Sequence, residues 1–185
     1  IQVITGDIKN IKSDAAVICQ FEDSGELDND KAVLDQALDG VISRLISSGE
    51  IKGKYKESTV IYTLGELDFP KLVILGLGKK AELNCEKVRV SIAEVIRSLR
   101  SKNAEVISLE GDGFAAGGIG LESIGQAIAE GAVLGSYTFR KHLTREPDHK
   151  DIKLVNIIIA SKPESEVMER GCRKGIILAE AANLA

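Results

Sequence analysis

The chain has 185 residues and a formal net charge of −4, with 24 Lys and Arg against 28 Asp and Glu. Hydrophobic residues make up 44% of the chain and charged residues 28%, which excludes a disordered chain and predicts one globular domain with a substantial core. The acidic balance argues against nucleic acid as a partner, because nucleic-acid binding needs a concentrated basic face. The sequence has no apolar run of membrane-spanning length and no export signal, so we expect a cytoplasmic protein without a membrane partner.

Short apolar segments bounded by Gly, Pro or Asp predict six strands. They lie at residues 1–5, 14–19, 58–64, 72–75, 104–109 and 153–160. The fourth segment, Leu-Val-Ile-Leu, is apolar throughout, which is typical of a strand that is buried on both faces. Such a strand needs layers above and below it. The sequence therefore predicts an α/β three-layer sandwich, in which helices flank a mixed six-stranded sheet.

Helical periodicity and capping residues predict four helices. They cover residues 28–49, 84–100, 121–139 and 163–185. The first is interpreted as one continuous helix, with cap candidates at 28–30, because Leu34, Leu38 and Leu45 share a face and Gly49 follows. A glycine-dense loop at 111–120 precedes the third helix.

Gly131 and Gly135 lie one turn apart inside the third predicted helix. An interior glycine costs a helix ~1 kcal/mol relative to alanine. We therefore predict that a neighbouring element packs closely against this part of the helix, because close packing would compensate for that cost.

Gly76-Leu77-Gly78-Lys79 follows the fourth strand and has two interpretations. One is a phosphate-binding turn, in which free backbone N–H groups at the start of a helix bind an anion. However, Lys80 stands where a phosphate loop has Ser or Thr, and the next helix begins only near Asn84. The other interpretation, which we favour, is a tight turn at the end of the strand.

Cysteine and histidine offer little chemistry in this sequence. Cys19, Cys85 and Cys172 are odd in number and far apart, so they predict neither a disulfide framework nor a metal site. His142 and His149 lie in a polar segment without the periodicity that would fix metal ligands, and we interpret them as exposed loop residues. The sequence therefore assigns no catalytic and no metal-binding residue.

Several strings can be compared with known families. They are Asp-Ala-Ala-Val (14–17), Phe-Glu (21–22), Leu-Asp-Gly (38–40), Gly-Lys (53–54), Leu-Gly-Leu-Gly-Lys (75–79), Glu-Gly-Ala-Val-Leu-Gly-Ser-Tyr-Thr-Phe (130–139) and Ala-Glu-Ala-Ala-Asn-Leu-Ala (179–185). In this order and at this spacing they resemble the amino-terminal domain of the leucyl (cytosol) aminopeptidase family, over essentially the whole chain.

The resemblance implies a longer enzyme that releases amino-terminal residues from peptides with two divalent metal ions, zinc or manganese, in a carboxy-terminal catalytic domain. The family signature Asn-Thr-Asp-Ala-Glu-Gly-Arg is absent here. Two-metal hydrolysis needs carboxylates around ions about 3.5–4 Å apart, and we find no such cluster in the sequence. We therefore predict that this chain alone is inactive and holds no cofactor. Family hexamers imply a role in homo-oligomer assembly.

The two ends of the chain agree with that interpretation. The sequence begins without Met, and the last predicted helix has neither Gly nor Pro to end it. We expect a piece of a longer protein, with an amino-terminal accessory domain at 1–162 and a connecting helix at 163–185 that leads to, and positions, the catalytic domain.

Gly6-Asp7-Ile8, followed by the string at 14–17, also resembles the opening of the macro domains, which bind ADP-ribose. The resemblance places Asp7 at the adenine, and the loop at 117–120 could supply a backbone nest for phosphate. The sequence departs from macro domains at Cys-Gln-Phe-Glu (19–22), and acidic residues at 23–30 replace a glycine-rich phosphate loop. Those acids would repel a pyrophosphate.

Two alternatives to the accessory domain therefore stay open, namely a nucleotide- or ADP-ribose-binding module and a stand-alone structural or regulatory protein. The candidate ligand-loop residues of the first alternative are Asp7, Gly76, Gly78, Gly118 and Gly120.

Overall fold

The six predicted strands are present in a computed structural model, and they form one sheet. They are β1 (Gln2–Thr5), β2 (Ala15–Gln20), β3 (Ser58–Tyr62), β4 (Lys71–Gly76), β5 (Val106–Glu110) and β6 (Leu154–Ile159). The structure describes residues 1–25, 27, 29–115, 117–137 and 150–184. The strand order is β1-β6-β5-β2-β4-β3, and β3 pairs antiparallel with β4 whereas the other pairs are parallel. The predicted mixed sheet is confirmed.

Helices cover both faces of the sheet, as the sandwich prediction requires. They are α1 (Asn29–Ala37), α2 (Val41–Ser47), α3 (Cys85–Ser101), α4 (Gly111–Ala115), α5 (Leu121–Ser136) and α6 (Lys162–Leu184). Successive residues of β2 enter different cores, because side chains alternate along a strand. Val17 packs in the core beneath α3, α5 and α6, and Ile18 packs in the core beneath α1 and α2. None of the helices that the structure describes is both long and apolar enough to cross a membrane.

The prediction of one continuous helix over residues 28–49 is wrong. Asp39 and Gly40 both have positive φ values, 52° and 75°, which end α1 and start α2 in a new direction. Asp35 stabilises the break, because its carboxylate accepts the backbone N–H of Ser43 at 3.0 Å. The break buries Ile42 completely and leaves Leu45 only half-buried. The proposed caps at 29 and 30 have no described side chains, and residue 28 lies outside the described residues.

The prediction of close packing at Gly131 and Gly135 is confirmed. A side chain on Gly131 would overlap the backbone carbonyl of Arg89 in α3, and one on Gly135 would lie 2.8 Å from the Cα atom of Ala93. On the other side of α5, a side chain on Gly171 of α6 would overlap the backbone carbonyl of Glu122. The backbones of α3, α5 and α6 therefore touch.

The remaining helix predictions need smaller changes. The loop predicted at 111–120 begins with the short helix α4, which is anchored by the fully buried Phe114. The cap of α3 is as predicted, since Asn84 Oδ1 accepts the backbone N–H of Lys87 at 2.9 Å. α5 ends at Ser136, and residues 138 and 139 of its predicted span lie outside the described residues. α6 begins at Lys162, so Pro163 lies in its first turn.

Candidate functional site

A cleft of about 300 Å³ opens at the carboxyl ends of β1, β6 and β5. It is lined by Gly6, Asp7, Ile8, Glu110, Asp112, Ile158 and Ala160, and we call it the acidic cleft. In open α/β sheets, ligands bind outside the carboxyl ends of the strands, where connections leave towards opposite faces. Here β1 leads to a 3₁₀ turn whose Ile8 packs in the core beneath α1 and α2, whereas β6 and β5 lead to α6 and α4 on the other face. The acidic cleft is therefore the place to look for a ligand site in this fold.

Asp7, the one predicted site residue in the acidic cleft, follows β1 and caps a 3₁₀ turn. Its carboxylate accepts the backbone N–H of Lys9 at 3.0 Å and forms an ion pair of 3.0 Å with the Lys9 ammonium. The side chain is 42% exposed. Asp7 thus contributes a negative charge to the rim of the cleft, and its own chain already partners it.

Glu110 and Asp112 supply the other two carboxylates, and the sequence analysis missed both. Glu110 Oε2 accepts the backbone N–H of Cys19 at 3.1 Å, and Asp112 Oδ2 accepts the backbone N–H of Ala160 at 2.8 Å. The signal that could have found them is their position, because acidic residues directly after a predicted parallel strand lie at the carboxyl edge of the sheet.

Gly76 and Gly78 lie in a closed turn, away from the residues that line the acidic cleft. The N–H of Gly76 donates to the carbonyl of Glu57 at 2.8 Å, and that of Gly78 donates to the carbonyl of Gly53 at 2.9 Å. A side chain on Gly76 would overlap the carbonyl of Lys54, and Gly78 has a φ of 76°. Backbone atoms therefore hold the donors that a phosphate would need, and the arrangement is that of a tight strand-end turn.

Gly118 and Gly120 are exposed at the start of α5, and neither lines the acidic cleft. Gly118 donates its N–H to the carbonyl of Ala115 at 3.1 Å, and Gly120 is the N-cap residue of α5. The structure thus does not bring the five candidate ligand-loop residues together. It separates them into the acidic cleft, the turn after β4 and the loop before α5.

Nucleophile and metal chemistry find little support in the described residues. Burial raises the pKa of the Cys172 thiol to about 12, which keeps it protonated and unreactive. Cys19 is also buried. Within the part of the chain that the structure describes, no three His, Cys, Asp or Glu side chains form a group that could hold a metal ion. His142 and His149 lie outside that part.

Comparisons with known proteins assign the family. The model of the cytosol aminopeptidase family, N-terminal domain, matches residues 17–146. The probable cytosol aminopeptidase of Alkaliphilus oremlandii is 33% identical over 186 residues, which cover 100% of this chain and 37% of that protein. The one from Sulfurihydrogenibium sp. is 30% identical, over 99% of this chain and 36% of that protein. The chain thus spans little more than a third of the length of these relatives.

Solved structures show the same fold. A mutant of tomato leucine aminopeptidase matches with a TM-score of 0.69 and 21% identity, over 99% of this chain and 36% of that one. The Oceanobacillus iheyensis macrodomain with ADP matches with a TM-score of 0.67 and 13% identity, over 97% of this chain and 91% of that one. The sheet is thus macrodomain-like, and the sequence relatives are aminopeptidases. The chain belongs to the cytosol aminopeptidase family, where it corresponds to the N-terminal domain.

Proposed function

We propose that this chain is the non-catalytic amino-terminal domain of a cytosolic, metal-dependent leucyl aminopeptidase. The longer enzyme would release amino-terminal residues from peptides. The observation that carries the proposal is the match of the whole chain to 37% of a probable cytosol aminopeptidase. In this proposal residues 1–162 are the accessory domain, and residues 163–185 connect it to the catalytic domain.

The chemistry of the chain supports a non-catalytic role. Each carboxylate of the acidic cleft accepts a backbone N–H group, and the described residues include no cluster of metal ligands. The two divalent ions of the enzyme, zinc or manganese, would be held by residues outside this chain. A relative in fold, the bottromycin maturation enzyme BotP, has been solved in complex with Mn, with a TM-score of 0.62 and 18% identity.

The outer face of α6 supports a role in positioning. Met168 and Cys172 lie on the face of α6 that is buried against the core, whereas Ile177 and Leu184 lie two turns apart on the opposite face. Ile177 is 67% exposed and Leu184 is 89% exposed. Large apolar side chains on a connecting helix are suited to contact with another domain. We propose that the catalytic domain covers this outer face and that the contact also supports assembly of a hexamer.

Charge substitutions on the outer face test this contact in the full-length enzyme. The double variant Ile177→Glu/Leu184→Glu should reduce the assembled fraction in light scattering and the hydrolysis of a leucyl anilide. Val33→Glu is the matched control, since it places the same side chain at an exposed apolar residue of α1, on the opposite face of the sheet. Normal assembly and activity of the double variant would count against the positioning role.

The non-catalytic assignment has its own test. We expect this chain alone, incubated with manganese and a leucyl anilide, to hydrolyse no more substrate than buffer does. Hydrolysis that exceeds buffer and is abolished by a chelator would contradict the assignment.

The alternative function, a nucleotide- or ADP-ribose-binding module, is supported by the fold alone. The macrodomain with ADP shares 13% identity with this chain. An identity this low supports a common fold, but it assigns no binding residue to this chain. Isothermal titration with ADP-ribose separates the two proposals, and the geometry of the acidic cleft predicts its outcome.

A further inference from the structure

We propose that the chain's own carboxylates occupy the anion-binding position of this fold, so that the acidic cleft excludes phosphate-bearing ligands such as ADP-ribose. Glu110 and Asp112 act as internal anions, because they accept backbone N–H groups at the carboxyl edge of the sheet that a bound phosphate would otherwise use. This inference is independent of the aminopeptidase proposal.

The strand register explains why two backbone N–H groups at this edge of the sheet need side-chain acceptors. β5 lies between β2 and β6, and its pairing reaches Val17↔Leu109 on one side and Glu110↔Ile158 on the other. Continued by two residues, the same register sets Cys19 opposite Gly111 and Ala160 opposite Asp112. At that point β5 has already turned into α4, so it no longer offers strand carbonyls to its neighbours. The N–H groups of Cys19 and Ala160 therefore need other acceptors.

Two carboxylates supply these acceptors. Glu110, the last residue of β5, bonds to the β2 side, and Asp112, in the first turn of α4, bonds to the β6 side. Glu110 accepts from Cys19 at 3.1 Å, and Asp112 accepts from Ala160 at 2.8 Å. A carboxylate on a backbone N–H is a strong, charge-assisted acceptor, as a phosphate oxygen would be. An incoming phosphate would have to displace both side chains.

Gly113 leaves room for the Glu110 carboxylate. A Cβ atom on Gly113 would lie 2.6 Å from Glu110 Oε2 and 3.1 Å from the Cβ atom of Cys19. Any larger residue at this position would force the carboxylate away from the Cys19 N–H group. The glycine after β5 thus preserves the internal anion.

The carboxylates of the acidic cleft also repel an incoming anion. Asp7 adds a third carboxylate to the lining, and its ion pair with Lys9 lies at the exposed rim. A diphosphate that entered the acidic cleft would meet the negative charges of Asp7, Glu110 and Asp112. Like charges at short range disfavour each other strongly where the surroundings are partly desolvated. The occupied N–H donors and the electrostatic repulsion therefore both oppose the binding of phosphate in the acidic cleft.

Titration calorimetry of the unmodified chain is the first test. We expect neither ADP-ribose nor inorganic pyrophosphate to bind at concentrations up to about 1 mM. Binding of ADP-ribose with a micromolar dissociation constant would overturn the proposal.

The double variant Glu110→Ala/Asp112→Ala is the sharper test, because it frees the two N–H groups and removes two charges. We expect inorganic pyrophosphate to raise the unfolding temperature of this variant, with an apparent dissociation constant at least about 10-fold lower than for the unmodified chain. Asp23→Ala is the matched control, because Asp23 accepts the backbone N–H of Lys80 at 3.2 Å on the surface, outside the acidic cleft. The control should show no response to pyrophosphate.

A folded double variant that gains no response, or an equal response of the control, would overturn the proposal. If the double variant does not fold, Glu110→Gln/Asp112→Asn replaces it, since the amides still accept the two N–H groups but carry no charge. This pair should bind pyrophosphate more tightly than the unmodified chain, because the two negative charges are gone. If neither this pair nor the unmodified chain bound pyrophosphate, that result would also contradict the proposal.

Discussion

The two faces of the sheet are built on different principles. On one face, the backbones of α3, α5 and α6 touch at glycines, and α6 packs along the length of α5. On the other face, α1 and α2 are short, are separated by a left-handed break, and pack through side chains such as Leu34 and Ile42. Backbone contacts allow no adjustment, whereas side-chain contacts can relax. The first face is therefore suited to hold α6 in a fixed orientation, as the connecting role proposed for α6 would require.

The largest effect is expected from Gly171→Val, on the face where backbones touch. The new side chain would overlap the Glu122 carbonyl, and it would separate α6 from α5. We expect a loss of about 3 kcal/mol or more in the free energy of unfolding, measured by urea denaturation. Gly25→Ala is the control, because Gly25 lies outside the helices and strands with open space around it and should change stability by less than about 0.5 kcal/mol. Equal effects of the two substitutions would contradict the close backbone contact between α6 and α5 at Gly171.

Ile42→Ala tests the opposite face, where the core is made of side chains. Ile42 is fully buried, and its truncation should cost about 2–3 kcal/mol in the free energy of unfolding. Hydrogen exchange should report faster opening of α1 and α2 than of α5 in this variant, because the two faces are coupled only through the sheet. Val33→Ala, at a residue that is 43% exposed, should cost less than about 0.5 kcal/mol. Equally faster hydrogen exchange in all helices of Ile42→Ala would contradict the weak coupling of the two faces.

Glu130→Gln tests the polar contact between α3 and α5. Glu130 is buried and accepts a hydrogen bond of 2.5 Å from Arg89 Nε and one of 2.8 Å from Gln126. Removal of its charge leaves the Arg89 guanidinium without its buried counter-charge, which should cost about 1–2 kcal/mol in unfolding experiments. Glu86→Gln removes the exposed partner of the same guanidinium and should cost less than about 0.5 kcal/mol. A larger loss of unfolding free energy for Glu86→Gln than for Glu130→Gln would contradict the importance of the buried contact.

The smallest effect is expected at Glu105, and it depends on pH. Hydrogen bonds from Lys150 and Lys153 lower the pKa of Glu105 from 4.5 to about 2. Because the pKa is lower in the folded state, the carboxylate stabilises the fold above pH 4.5, and this contribution disappears as the pH falls towards 2. The difference in unfolding free energy between the unmodified chain and Glu105→Gln should therefore shrink between about pH 5 and pH 2. A difference in unfolding free energy that stays constant over that pH range would contradict the lowered pKa of Glu105.

The sequence predicted the sheet well, because continuous apolar runs such as Leu72–Leu75 report burial on both faces directly. It missed the break at Asp39 and Gly40, because the periodicity of Leu34, Leu38 and Leu45 continues through it and the tertiary core decides which residue is buried. Of the residues that line the acidic cleft, the sequence analysis named only Asp7 as a site residue, through the resemblance to macro domains. Glu110 and Asp112 bind N–H groups that are distant in sequence, at Cys19 and Ala160, and such pairing depends on a strand order that no local pattern contains.

Thiol labelling at the outer face of α6 tests the positioning role most directly. The experiment compares Ile177→Cys in a Cys85→Ser background, in this chain alone and in the full-length enzyme, since Cys19 and Cys172 are buried. We expect a maleimide to react with the introduced thiol at least about 10-fold more slowly in the full-length enzyme, because the catalytic domain covers it. Equal labelling rates in the two proteins would show that the outer face of α6 is free, and would contradict the proposed role.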